Sequence, residues 1–208
     1  RRGESSPENS ARNSSRSSAR TDTGAVALSW LLVVATVTSF LYAAFNSPDL
    51  IELPDVLPSQ PSAPILDLLL PLFELLTEKP IKLTAKGNLP TAFVKAMAAA
   101  YAPTHDPYYE FHREYVHNED SFSALHVAKV VADLAGLVYK KHGKLHLTKL
   151  GARLLDDQGA AGVYPVLLRT YAGKYNWGYT DRYDELPIIQ QSWAFTCYLL
   201  QKYGHEPR

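Results

Sequence analysis

Residues 136–155, GLVYKKHGKLHLTKLGARLL, constrain the fold of this 208-residue chain more than any other stretch. Gly136 suits the left-handed position that ends a helix. Two short strands, 137–140 and 144–147, are predicted around a tight turn at His142-Gly143. Thr148 then suits the N-cap of a further helix that runs to about residue 155. The stretch therefore predicts a β-hairpin held between two helices.

Further elements are predicted before and after this hairpin from apolar spacing, caps and prolines. Before it come a helix at 65–76, a strand at 82–84, a helix at about 89–101 opened by Pro90, and a helix capped by Asn118 or Asp120. After it come helices at about 160–175 and 187–203, which we expect to pack as an antiparallel pair. The order predicts a winged-helix-like core, with its helix-turn-helix, followed by a helical hairpin. The fold class is mainly α with a small β-hairpin.

Composition divides the chain into five segments. We expect a disordered Ser/Arg-rich tail at 1–24, an isolated apolar helix at 25–45, a Pro-rich acidic linker at 46–64, the winged-helix-like core at 65–157 and the C-terminal hairpin at 158–208.

The segment 25–45 has no charged residue in 21 positions, so a helix there is a candidate to span a membrane. Two alternatives stay open, which are a helix buried against the domain and a cleaved signal segment. The expected location is a single-pass membrane protein, with a cytoplasmic protein as the alternative.

Charge is unevenly distributed although the net charge is zero. Residues 79–208 hold 16 basic and 12 acidic side chains, a surplus of four positive charges. The hairpin and the helix after it supply the candidates for contact with nucleic-acid phosphates, namely Lys140, Lys141, Lys144, Lys149 and Arg153. A solvated turn rich in lysine is the alternative. The helix before the hairpin is unsuited to reading bases, because residues 119–135 carry three acids and one lysine.

Residues 104–120 concentrate histidines and acids, which are possible metal ligands. His105, His112 and His117 are weak candidates, because their spacings do not match the pair that places two imidazoles on one face of a helix. A polar, solvated connection is the alternative. No catalytic signature is present in the sequence, and we expect neither a cofactor nor an enzyme.

The sequence KYNWGYTDRYDEL at 174–186 is aromatic and polar without helical periodicity. Trp177, Tyr179, Arg182 and Tyr183 are candidates for binding a partner. The alternative is that this loop anchors the last two helices to each other through hydrogen bonds.

Three stretches together carry a resemblance: LTAKGNLP at 83–90, AGLVYKKHGKLHLTKLG at 135–151 and KYNWGYTDRYDELPIIQQS at 174–192. Over about residues 65–204 the chain resembles an uncharacterised group of bacterial proteins with a winged-helix-like core. It is also similar to a domain in plasmid ORF-3-type proteins. The resemblance implies a fold and a bacterial origin, without an activity or catalytic residues.

These features predict a non-enzymatic winged-helix module that binds a protein or a nucleic acid, tethered to a membrane if 25–45 spans it. One alternative is a DNA-binding transcriptional regulator that uses the basic hairpin. Another is a metal-dependent enzyme built on 104–120. Self-association through the C-terminal helices is a further alternative.

Overall fold

The computed structural model describes residues 28–42, 51–105, 115–181 and 186–204. These residues are mainly α-helical, with one small antiparallel sheet, which confirms the predicted fold class. The chain forms two compact units. Of the described residues, those within 53–190 form the larger unit, and 28–42 and 51–52 together with 191–204 form the smaller. The tail predicted at 1–24 lies outside the described residues.

The helices and strands follow in chain order. The helices are α1 (28–42), α2 (Pro64–Glu78), α3 (Thr91–His105), α4 (Ser123–Leu134), α5 (Lys149–Gln158), α6 (Ala160–Gly173), α7 (Gly178–Asp181), α8 (Pro187–Gln191) and α9 (Trp193–Tyr203). A 3-10 turn at Glu119–Ser121 precedes α4, and the strands are β1 (Ile81–Lys82), β2 (Val138–Lys141) and β3 (Lys144–Leu147). From α2 to β3 this is the element order predicted for the winged-helix-like core.

The three strands pair in the order β1-β3-β2, and both pairings are antiparallel. His142 and Gly143 join β2 to β3 with φ values of 50° and 69°. Two successive residues with positive φ define the tight turn that suits the twist of a hairpin. This confirms the turn predicted at His142-Gly143, and β2 lies one residue later than expected.

The end of α4 sets the direction in which β2 leaves it. The Gly136 amide donates to the Asp133 carbonyl at 2.9 Å, and the Leu137 amide donates to the Ala132 carbonyl at 2.9 Å. Gly136 has a φ of 71°. This pair of bonds around a left-handed residue is the Schellman motif, so Gly136 has the helix-ending role predicted for it.

The start of α5 is fastened to the same corner. The Thr148 hydroxyl accepts from the Gly151 amide at 3.0 Å and donates to the Gly136 carbonyl at 2.8 Å. A Cβ atom on Gly151 would lie only 2.5 Å from the backbone oxygen of Leu137. Glycine is therefore needed for α5 to approach β2 this closely.

The core of the larger unit is built around α2. Leucines and one phenylalanine recur along its buried side, and the helix packs against α3, α4, α5 and α6. These buried residues are Leu66, Leu68, Leu69, Leu72, Phe73 and Leu76. Burying each such side chain stabilises the fold by about 1.5–3 kcal/mol. In the first turn of α2, the carboxylate of Asp67 lies 2.7 Å from the His105 ring of α3.

Residues 51–63 form neither helix nor strand, as the prolines predict. This segment is nonetheless bonded to the α5–α6 junction. The Gln60 side-chain amide accepts from the Ala161 amide at 2.9 Å and donates to the Gln158 carbonyl at 3.1 Å. One side chain thereby provides hydrogen-bond partners for an amide at the start of α6 and a carbonyl at the end of α5.

In the smaller unit, Phe40 of α1 is buried against Phe195 and Tyr198 of α9. Among the described residues, no helix combines the length and the apolar character needed to cross a membrane. The spanning helix predicted over 25–45 is therefore not found, since α1 accounts for 28–42 and the positions on either side lie outside the described residues.

The helix predicted over 187–203 is divided into α8 and α9 at Ser192. Gln190 of α8 bonds to two carbonyls at the end of α6, those of Ala172 at 2.9 Å and Tyr175 at 2.7 Å.

We expect Gly151→Ala to lower the free energy of unfolding by about 1–3 kcal/mol, because the new methyl group would overlap the Leu137 carbonyl. Equilibrium urea unfolding, followed by circular dichroism, measures this. Gly173→Ala is the matched control, since a Cβ there meets nothing within 4 Å. Equal stabilities of the two variants would contradict the close approach.

Candidate functional site

A row of three lysines crosses the outer face of the sheet. Lys82 of β1 lies opposite Lys144 of β3, and Lys144 lies opposite Lys141 of β2. All three are exposed. Because neighbouring strands lie about 4.8 Å apart, the row extends over roughly 10 Å. We call these three residues the lysine row.

No acid offsets the lysine row within the sheet. The three described strands contain no Asp or Glu. Within the described part of the chain, none of the three lysines forms an ion pair. Like charges on directly opposite strand positions destabilise a sheet by up to about 1 kcal/mol per pair. The lysine row thus costs folding free energy and leaves a positive surface open to an anion.

The predicted phosphate-contact residues do not all share this face. Lys141 and Lys144 belong to the lysine row, whereas Lys140 alternates to the opposite face of β2, with Leu145 as its strand partner. Lys149 and Arg153 are exposed one turn apart on α5. Lys82 is not among the residues predicted from the sequence, because the pairing of β1 with β3 joins residues that are far apart in the chain.

An aromatic pair lies beside the lysine row on the same face. Tyr139 and His146 are strand partners, and their rings stack at 5.0 Å with an angle of 18°. Tyr139 is 40% exposed and lies on β2, an edge strand of the described sheet. The ring face of Tyr139 that points away from His146 therefore has no neighbouring strand within this sheet.

Helix α4 presents no positive charge to a ligand. Its only Lys or Arg is Lys129, which is 2% exposed and ion-paired with Glu119. His126, the other nitrogen base of α4, bonds to the same carboxylate at 2.9 Å through Nδ1. A base-reading helix needs exposed donors and cations. The described helix α4 therefore offers no exposed Lys or Arg to a DNA groove.

Both oxygens of Glu119 are used, although the residue is completely buried. Oε1 meets His126 and Lys129, and Oε2 accepts from the Leu89 amide at 2.7 Å. Lys129 also donates to the Gly87 carbonyl at 3.3 Å. Burial lowers the pKa of the Lys129 ammonium, Glu119 counteracts this, and nearby Lys140 adds to the lowering.

The turn after β1 differs from the sequence expectation. The strand predicted at 82–84 is observed at 81–82, and the Thr84 hydroxyl accepts from the Asn88 amide at 3.1 Å. Thr84 thereby closes a turn around Gly87, which has a φ of 81°. Residues 83–87 and 147–151 share the pattern Leu-Thr-x-x-Gly but have different local structures, because Thr148 caps α5 directly whereas α3 begins only at Thr91, after this turn.

The predicted metal candidates are not brought together in the described part of the chain. His105 bonds to Asp67, and the backbone amide of His117 donates to the Ser121 hydroxyl at 2.9 Å. His112 lies outside the described residues. Among those described, no three His, Cys, Asp or Glu side chains are grouped as metal ligands.

The aromatic loop after α6 is held by side-chain and backbone bonds. The Trp177 indole donates to the Tyr171 carbonyl at 2.8 Å, and its ring stacks on Tyr171 at 5.4 Å. Tyr179 is 63% exposed and stacks on His126 at 6.1 Å. These contacts support the anchoring role that the sequence left open. Arg182 and Tyr183 lie outside the described residues.

Comparison with known proteins gives one match. Residues 61–160 match the family model described as the Y4jL N-terminal domain, an uncharacterised family. The matched stretch includes α2 to α5 and the whole sheet. A search of curated proteins and a search of solved structures each found no match. A match to an uncharacterised family is thus found over residues 61–160. The resemblance to bacterial proteins with a winged-helix-like core and the likeness to plasmid ORF-3-type proteins both stay predictions.

We expect Glu119→Gln to lower the free energy of unfolding by about 3 kcal/mol, because it leaves the buried Lys129 ammonium without its counter-charge. Adding Lys129→Met should restore part of the loss by removing that charge. Urea unfolding of both variants measures the two effects.

Asp133→Asn is the control for this pair of variants, since it neutralises an exposed acid on the same helix. A loss for Glu119→Gln no larger than that for Asp133→Asn would show that the buried pair is not important for stability.

Proposed function

We propose that this chain is a binding module that takes the phosphate backbone of a nucleic acid on the outer face of its sheet. The lysine row is the observation that carries the proposal. Three exposed lysines lie side by side on three strands, and no acid in those strands neutralises them. Contacts with phosphate contribute affinity without reading sequence.

The state of α4 favours this mode over insertion of a recognition helix. The only Lys or Arg of the helix is buried in an ion pair, so α4 offers no cation to a duplex groove. A transcriptional regulator that reads bases through α4 is therefore not our proposal. We infer instead that binding is largely independent of sequence and strongly dependent on salt.

The other functions considered have less support. A metal enzyme built on 104–120 would require a ligand group, and the described residues of that stretch provide none. A protein partner at the aromatic loop is favoured only by the exposed ring of Tyr179, because Trp177 is used to hold the loop. An acidic protein could also bind the lysine row, and binding experiments with nucleic acid and with an acidic polypeptide distinguish these two partners.

We expect the full chain to bind a mixed-sequence duplex oligonucleotide with an affinity that falls steeply between about 50 and about 200 mM salt. Lys144→Gln removes the central charge of the row, so it should weaken binding and reduce the slope of log affinity against log salt by about 0.9. Fluorescence anisotropy of a labelled duplex measures both quantities.

Lys95→Gln is the matched control, because Lys95 is exposed on α3 and carries the same charge. An equal loss in Lys95→Gln would mean that net charge, not the lysine row, determines binding. Failure of the wild-type chain to bind any nucleic acid, with binding to an acidic polypeptide instead, would replace the proposed partner.

The same substitution should affect stability in the opposite direction. Lys144→Gln removes a positive charge that lies opposite two others, those of Lys82 and Lys141. We therefore expect the free energy of unfolding at low salt to rise by about 0.2–1 kcal/mol. Urea unfolding at low salt and then at high salt measures the gain, which screening should reduce. An unchanged stability at low salt would show that the row is not under repulsion.

A further inference from the structure

The lysine row and the Tyr139–His146 pair occupy one face of the same sheet. Register places Tyr139 two residues before Lys141 on β2, and His146 two residues after Lys144 on β3. Positions two apart on a strand are about 6.6 Å from each other. An aromatic surface thus lies next to the phosphate-binding cations, at a distance that one nucleotide can bridge.

The ring geometry determines where a base would fit. Tyr139 and His146 are already nearly parallel, at 18° and 5.0 Å, so they form the first two members of a stack. The other side of Tyr139 is at the open edge of the described sheet, and the residue is 40% exposed. A planar base placed there would extend the stack to three rings.

We propose that the natural ligand is a single strand, with one base stacked on Tyr139 and its phosphates on the lysine row. The inference rests on the proposed function and adds a base-binding position to it. In a duplex the bases are paired and stacked on one another, so their faces are closed to a protein ring. In a single strand the faces are free, and cations with an aromatic platform are the combination that binds it.

An abasic strand separates the two proposals, because it keeps the phosphates and lacks the bases. The probes are a labelled oligothymidylate of about 12 nucleotides and an abasic strand of the same length. We expect the wild-type full chain to bind oligothymidylate about 5-fold to 100-fold more tightly than the abasic strand, as measured by fluorescence anisotropy.

Variants locate the base. Tyr139→Ala should reduce the affinity for oligothymidylate to near that for the abasic strand, while leaving abasic binding unchanged. Tyr139→Phe keeps the ring and should retain the preference. Tyr179→Ala removes another exposed ring, outside the sheet, and should have no effect. Unchanged abasic binding in each variant also shows that the lysine row is still folded.

Three results would overturn the inference. Equal affinity of the wild-type chain for both strands would remove the base contact and leave phosphate binding in place. Loss of the preference in Tyr179→Ala instead of Tyr139→Ala would move the base to the aromatic loop. Absence of binding to both strands would overturn the single-strand preference, and absence of binding to the duplex as well would remove the proposed function.

Discussion

The hydrogen bonds and the ion pair of the buried Glu119 carboxylate determine how the sheet and α4 are arranged in the larger unit. Through its two oxygens the carboxylate joins the turn after β1, by way of Leu89, to His126 and Lys129 of α4. The turn fixes β1 and the helix leads into β2, so one side chain relates two of the three strands. Burying a carboxylate costs folding free energy unless both of its oxygens are paired. Both oxygens of Glu119 are paired. The pairing also uses the only Lys or Arg of α4, so this helix adds no exposed cation to those of the sheet and of α5.

The corner formed by Gly136, Thr148 and Gly151 fixes the two ends of the hairpin to the helices on either side of it. It joins the end of α4 to the start of α5 through a Schellman motif and one hydroxyl group. The four residues of each hairpin strand are too few to be stable alone. The helix termini at both ends of the hairpin therefore fix where its two strands, and the lysines on them, lie.

Local signals in the sequence were enough to predict the hairpin. A glycine at the helix end, a His-Gly turn and a threonine cap each act within a few residues, and the structure places all three as expected. The long-range contacts were not accessible in the same way. Lys82 joins the row only because β1 pairs with β3, over 60 residues later. The Glu119 network is equally remote from local patterns, since acids at a helix start usually indicate capping.

The predictions of one helix over 25–45 and of one helix over 187–203 show a different limit of sequence patterns. Uncharged length at 25–45 satisfies the rule for a spanning helix. The structure describes 28–42 of this segment as helix, with Phe40 in contact with Phe195, a contact that composition does not predict. The spacing at 187–203 is helical on both sides of Ser192, and periodicity alone does not reveal where the backbone bonds shift. The proposed single-strand site likewise depends on a cross-strand pair that only register could bring together.

The edges of the small sheet have one more consequence. Short strands with unpaired edges invite another copy of the same chain to add a strand, which is a common route to aggregation. Here β1 and β2 are the two edges, and both carry lysine. Edge-to-edge pairing would bring the lysines of one copy against those of the next. The positive charge of the lysine row thus disfavours pairing between the sheet edges of two copies.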